Sequence, residues 1–527
     1  MQRLNPWASA AAQPPTIETD EIFPLHFLDN KMGQLLLVLS QTLLFHSVLD
    51  PTKLHDGLVR LVSNGDWRKL GGRLRKQPNG LLELHVPREF TAERPAVLFS
   101  AETLDMPISE HPVGGRLPRA AAETEEEGSS SSSSRGPSLH PGSTEFKEFS
   151  VGPGWCTKQD DYLCRDNPVL GIRVIVFADA TVVSLVVPNV VAGALGLQSI
   201  FKAWSAALRD VNAIPPLLGA REDVIDSIGG EGQMAEPYAL LPKELKGWGF
   251  VKFISRLVWN MFWRPTVGSR SICLPRQFVS RLREQCIREA EAAANKDEDG
   301  KPVFLSDGDV LTAWIMRFVV RARGGTRPAL ASNAVDLVGR IKSLRDTVAD
   351  GGVYVQNLAG AAFTDIGVDL AINRPLGEVA LAIRGSIQEQ AMEAQMRALI
   401  GMYKADGLGQ QKSLFGDPDA QLVIYSNWTM FDLFNACDFG AAVVKSPEAE
   451  TSPSSKTGSD NDATTNTPPG KPAYMHLRSV EDSRFHRDAF FIMGKDLQGN
   501  YWTTAFVYPE DLAPLEEYME QTWERIR

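Results

Sequence analysis

Apolar and polar positions along this chain repeat with two periods. Residues 171–188, GIRVIVFADATVVSLVVP, hold two nearly continuous apolar, β-branched runs around an Asp-Ala pair. That pattern predicts two buried strands joined by a tight turn. Just beyond, Leu197, Ile200, Phe201, Trp204 and Leu208 recur at helical spacing, which predicts an amphipathic helix fed directly by a strand. Phe278, Leu282, Cys286 and Ala290 mark the inner face of a second helix over 276–294. A third begins at Ser306, a residue suited to an N-cap, with Asp309 in the first turn, and runs to 323. Pro375 opens a long helical pattern reaching 403. Residues 80–87, GLLELHVP, have strand chemistry, and the last 37 or so positions read as strand, Gln-Gly-Asn turn, strand and closing helix. The class is α/β with mixed sheets.

Two stretches break the pattern. Residues 121–146 are acidic, then serine-rich, then rich in Pro and Gly; residues 446–472 are similar. Neither has the apolar surface to offset the entropy of ordering, so both are expected to be disordered inserts within domains. Residues 216–245, rich in Pro and Gly, suit a crossover. The expected layout is a domain at 17–215, a crossover at 216–245 and a domain at 246–527. With 527 residues, 43% of them hydrophobic, the chain can fill two cores.

Charge narrows the functions. The formal net charge is −11 and the basic residues are scattered, which excludes ordinary nucleic-acid binding and disfavours anionic membranes. The longest apolar stretch, 32–49, includes Gln34, Ser40, Gln41 and His46 and reads as core rather than a membrane span. The first 24 residues lack the apolar segment of a secretory signal. Five cysteines at irregular spacing argue against a disulfide framework, and no spacing of Cys or His fits a metal. A cytoplasmic location is expected.

The order of several short segments carries a resemblance. LHFLDN at 25–30 and GDWRKLGGRL at 65–74 come first. SDGDVLTAWIMRFVVRAR at 306–323, AVDLVGRI at 334–341, GVYVQNLAG at 352–360 and SNWTMFDLFNACDFGAAVV at 426–444 follow. In this order they resemble the BAHD acyltransferases, within them the fungal branch of trichothecene 3-O-acetyltransferase-like enzymes. The resemblance implies two chloramphenicol-acetyltransferase-like domains with a channel between them. It also implies an acyl-CoA entering one side, an alcohol or amine acceptor the other, and a monomer.

In that family an HxxxDG motif supplies the base. An alcohol is a poor nucleophile at neutral pH, and a positioned base is worth about 10²–10⁴-fold. Carried onto NVVAGALG at 189–196, the histidine falls on Asn189 and the aspartate on Gly193. Asn189 donates and accepts hydrogen bonds but takes no proton in this range. The family's DFGWG element is Asp438-Phe439-Gly440-Ala441-Ala442 here, and the resemblance implies a structural pairing of Asp438 with Arg340. A literal HxxxD exists at His46–Asp50, but it lies in the first apolar stretch, away from the family's junction. His26, in the opening segment, is the remaining candidate for a substitute base. Asn357, Tyr425, Asn427 and Trp428 are the expected channel-lining, substrate-binding residues. No GxSxG elbow or phosphate loop is present.

A channel without its base fits an enzyme of fungal specialised metabolism repurposed to fold a small apolar intermediate for cyclisation, as a pericyclase or Diels–Alderase does, with no cofactor required. The alternatives are an acetyl-CoA-dependent O-acyltransferase using another base or an activated acceptor, and a catalytically inactive binding protein.

Overall fold

The computed structural model describes residues 12–31, 37–119, 136–230, 236–293, 302–407, 413–446, 467–481 and 486–527. Twelve strands build its two large sheets. They are β1 (Val38–Phe45), β2 (Leu98–Thr103), β3 (Ser138–Pro141), β4 (Gly171–Val176), β5 (Thr181–Pro188), β6 (Gly268–Leu274), β7 (Ala329–Asp336), β8 (Ala359–Ile366), β9 (Gln421–Asn427), β10 (Tyr474–Ser479), β11 (Ala489–Lys495) and β12 (Tyr501–Val507). Seven helices matter here: α1 (Pro51–Val62), α2 (Ala194–Arg209), α3 (Gly247–Trp263), α4 (Arg276–Ala293), α5 (Asp307–Ala322), α6 (Leu376–Gln390) and α7 (Leu512–Ile526).

The first sheet has the order β10-β1-β5-β4-β2 and the second β8-β7-β9-β11-β12-β6-β3. Both mix parallel and antiparallel neighbours. The α/β class with mixed sheets is therefore the observed one. Each sheet borrows a strand from the other half of the chain: β10 joins the first, pairing Tyr474 with Leu44, and β3 joins the second, pairing Ser138 with Cys273. This exchange ties the two lobes together through backbone hydrogen bonds.

The strand β5 is buried along its whole length, which explains its unbroken apolar run. It turns back on β4 through a bond from Phe177 N to Ala180 O of 2.8 Å, at the Asp-Ala pair. Leu197, Ile200, Phe201 and Trp204 of α2 are buried beneath this sheet, and Trp204 Nε1 donates to Leu54 O of α1 at 3.0 Å. Ser306 caps α5 by accepting from Asp309 N, while Asp309 Oδ2 accepts from Ser306 N at 2.8 Å, a reciprocal capping box. Asp50 accepts from Thr52 N at 2.9 Å and Lys53 N at 3.1 Å. The literal HxxxD thus ends in a helix cap.

Three expectations need correction. Residues 136–146, assigned to a disordered insert, hold β3 and a 3₁₀ turn; the backbone pairs with β6, and Leu139 packs on the second core. A sheet edge satisfies backbone groups of almost any sequence, so composition alone does not decide order in this stretch. Residues 467–472, assigned to the other insert, are also packed, with Gly470 N donating to Ser47 Oγ at 3.2 Å. Residues 121–135 and 447–466 of those inserts lie outside the described residues. The long helix from Pro375 is two helices, α6 and Glu393–Asp406, because Met392 is extended and Gln390 is drawn aside. The Gln390 amide accepts from Phe363 N at 2.8 Å and donates to Phe363 O at 2.7 Å.

Candidate functional site

The strand β5 ends at a short junction that leads into α2. Asn189 continues the sheet, its N–H donating to Leu37 O at 2.8 Å. Val190, Val191 and Ala192 turn inward and are buried. Gly193 then stands at the start of α2 with φ −91°, a conformation open to any residue. The glycine is required for space instead. A β-carbon there would collide with Oδ1 of Asn357, which arrives from the other lobe.

Asn357 is held on both sides. Its Nδ2 donates to Asn189 O at 2.8 Å and to Asp29 Oδ1 at 3.0 Å, and its own N–H donates to the same Asp29 oxygen at 2.8 Å. Asp29 is fully buried and also accepts from His26 N at 3.0 Å through Oδ2. Asn189 and Gly193 are thereby built into a brace that runs from Asp29 through Asn357 to Asn189. Nearby, Ser199 Oγ donates to Tyr354 O at 2.8 Å, and a β-carbon at Gly196 would strike Val355 O. The front of α2 is packed tightly on residues 354–357.

His26 sits on the far side of this brace. Its Nε2 meets Gly219 O at 2.5 Å, so that nitrogen carries the proton and donates. Burial, with the Lys69 ammonium as a further cause, lowers its pKa below the ordinary histidine value. Burial likewise lowers Lys69, against the opposing pull of Asp29 and Asp223. Among the described residues, hydrogen bonds connect His26 to Asn189 through Asp29 and Asn357.

The residues expected from the second lobe separate. Tyr425 is buried in β9, and burial raises its phenol. Trp428 is also buried; its Nε1 donates to Ser426 Oγ at 2.8 Å and its ring packs edge-on to Phe491. Asn427 Oδ1 accepts from Thr429 N at 3.0 Å and Thr429 Oγ1 at 2.8 Å, which closes the turn after β9. That turn packs against α2 and forms a wall of a cleft of about 920 Å³. Arg276, Arg283, Asp307, Lys495 and Tyr501 line the same cleft. Asp307 lies 3.5 Å from both Arg283 and Lys495 and accepts from the Tyr501 hydroxyl.

Asp438 does not pair with Arg340. Its Oδ2 accepts from Arg209 Nη1 at 3.1 Å at the end of α2, and Oδ1 accepts from Gly440 N. Arg340 follows β7 and acts on Asp336. The DFG segment instead enters the first core, where Phe439 stacks on Phe45 at 5.4 Å and tilts over Trp204 at 4.4 Å. Asp29 was not anticipated as a site residue. Its place three residues after His26, in a turn, was the available signal. Among the described residues no cluster of His, Cys, Asp or Glu could hold a metal ion.

No family model matches the chain. It is 42% identical over 522 residues to acetyltransferase pyiB of Pyricularia grisea, covering 99% of this chain and 98% of that protein. This chain belongs to the fungal acetyltransferase branch of the BAHD superfamily. Another relative of this BAHD branch, 31% identical over 94% of each chain, is named transcriptional regulator calD of Penicillium decumbens. The BAHD fold is shared with the solved structure of Fusarium sporotrichioides TRI101 complexed with coenzyme A and T-2. The TM-score is 0.61 and the identity 16%, covering 94% of this chain and 97% of that one. In this chain residues 189 and 193 are Asn and Gly.

Proposed function

We infer that the protein transfers an acyl group from acyl-CoA to a small metabolite whose own acidity replaces the missing base. One observation carries this reading: in a chain aligned end to end with an acetyltransferase, residue 189 is an amide, with its backbone fixed by Asn357. An amide N–H stabilises an oxyanion but cannot generate one. A phenol, enol or thiol ionises within a few pH units of neutrality and needs no side-chain base. Asn189 then serves as a donor to the oxyanion, and confinement beside the thioester supplies the rest. Arg276, Arg283 and Lys495 suit the phosphates of the acyl donor, and the coenzyme A complex of TRI101 supports such a donor.

The same amide favours a second reading. A hydrogen-bond donor in a confined channel suits cyclisation of a folded intermediate, which consumes no acetyl-CoA. One experiment separates the two. The compound that accumulates when the gene is deleted is incubated with purified protein, with and without acetyl-CoA. Acetylated product with one equivalent of free CoA supports transfer. Isomerisation without acetyl-CoA supports cyclisation, and tight binding with no conversion leaves a binding protein.

A further inference from the structure

The helix α3 turns its apolar side outward. Along GWGFVKFISRLVWNMFW only Phe253 is buried. Trp248, Val251, Val258, Trp259, Phe262 and Trp263 are exposed, and with Ser255 they fall at spacings that place them on one face. Trp248 is 80% exposed, Trp259 60%, Phe262 75% and Trp263 68%. Trp259 and Trp263 stack on each other, 5.4 Å between centroids and 8° from parallel. Ser255 turns its hydroxyl back to Lys252 O at 2.9 Å, so the stripe has no free polar break. A patch of this kind is larger than a soluble surface ordinarily leaves to water.

The charges on α3 identify the occupant. The helix contains no acidic residue, and its two cations, half-exposed beside the stripe, share one carboxylate: Lys252 Nζ lies 2.7 Å from Asp419 Oδ2, and Arg256 pairs with the same group. Arg264, just past the end, lies 3.4 Å from Glu510 and over the ring of Tyr508. The exposed stripe itself carries no charge, and the cations beside it are held in ion pairs, on a chain of net charge −11. Such a face meets a zwitterionic bilayer without the repulsion that the rest of the surface would feel from anionic lipid. Tryptophan at both ends of the stripe is the residue that bilayer interfaces favour, with its ring in the acyl boundary and its N–H among headgroups. At about 1.5 Å per residue, 17 residues extend about 25 Å, short of the hydrocarbon thickness of about 30 Å, and no helix among the described residues is long and apolar enough to cross.

We propose that α3 is an interfacial anchor that lays Trp248, Trp259, Phe262 and Trp263 into the surface of an electrically neutral lipid bilayer. The lobes stay in water and the helix lies in the plane of the interface. The inference is independent of the chemistry at residue 189.

The test is flotation of the full chain with vesicles of phosphatidylcholine alone and with phosphatidylserine added, at low and at 0.5 M salt. The expected result is binding to phosphatidylcholine vesicles that salt does not weaken, with a blue shift of tryptophan emission. Trp259→Glu with Phe262→Glu should lower the partition coefficient at least tenfold with the same melting temperature; Trp259→Ser with Phe262→Ser serves if the charged variant fails to fold. No flotation of the wild type, or equal flotation of the variants, overturns the proposal. Binding that needs phosphatidylserine and disappears in salt also overturns it, because it would be electrostatic. A dimer in light scattering that the same substitutions dissolve assigns the face to a second copy and overturns it too.

Discussion

The Oδ1 of Asn357 fills the space that a β-carbon on residue 193 would need. Asn357 cannot easily step aside, because its amide nitrogen is committed to Asp29 and to the Asn189 carbonyl. Gly193→Ala is therefore expected to cost about 1–3 kcal/mol by overpacking, with Gly193→Asp costing more. Combined with Asn357→Gly, the two losses should sum to clearly less than their separate values, because the clash disappears with the Asn357 side chain. Urea unfolding of the single and double variants checks this; strictly additive losses would mean the two residues do not compete for space.

Asn357 also satisfies a buried carboxylate. Asn357→Ala leaves Asp29 short of a donor and is expected to cost about 1–3 kcal/mol. Asn357→Asp should cost more, since it sets a second carboxylate against the first. Sharing a proton raises the folded-state pKa of such a pair. The folded variant then binds more protons than the unfolded chain, so its deficit should shrink as pH falls towards 4. Unfolding midpoints of both variants from pH 8 to 4 measure this, and a deficit that grows on acidification would be the contrary result.

His476 makes the fold acid-sensitive. Its ring in β10 is buried, 5.5 Å from the ring of Phe146 and 5.6 Å from that of Tyr474, with no hydrogen-bond partner for either nitrogen among the described residues. Burial lowers its pKa to about 3, against about 6.5 in the unfolded chain. Between those values the unfolded state binds the extra proton, so stability is lost as pH falls from 6.5 towards 3. His476→Phe should flatten this acid limb and change stability least above pH 7. Denaturant midpoints at pH 7.5 and 5 test it, and parallel curves for the two proteins would contradict it.

Asn189 is expected to act as a donor. Asn189→Ala should reduce kcat by about 10²-fold while leaving the melting temperature near that of the parent, since the brace uses the backbone carbonyl of residue 189. Steady-state kinetics beside a thermal melt separate these effects. An unchanged kcat would remove the side chain from the chemistry.

Periodicity made the strands around the Asp-Ala turn, the capped α5 and the inner face of α4 legible in advance, because burial writes apolar spacing directly into sequence. The junction of β5 with α2, which carries Asn189 and Gly193, was legible for the same local reason. Contacts between distant segments were not. The sequence gives no sign that Asp29 meets Asn357, that Asp438 meets Arg209, or that residues 138–141 complete a sheet edge. Tyr425 and Trp428 looked like channel residues and proved buried, since aromatic side chains serve cores as readily as clefts. The aromatic run of α3 has the composition of a core helix, and only its placement shows that its face is outward.

The most direct test of base-free acyl transfer is the pH dependence of CoA release across acceptors of graded acidity, from an aliphatic alcohol to a phenol. The inflection is expected to follow the pKa of each acceptor, with the aliphatic alcohol unreactive. Efficient acylation of the aliphatic alcohol, with one inflection near pH 6–7 shared by every acceptor, would reveal an imidazole base and contradict the assignment.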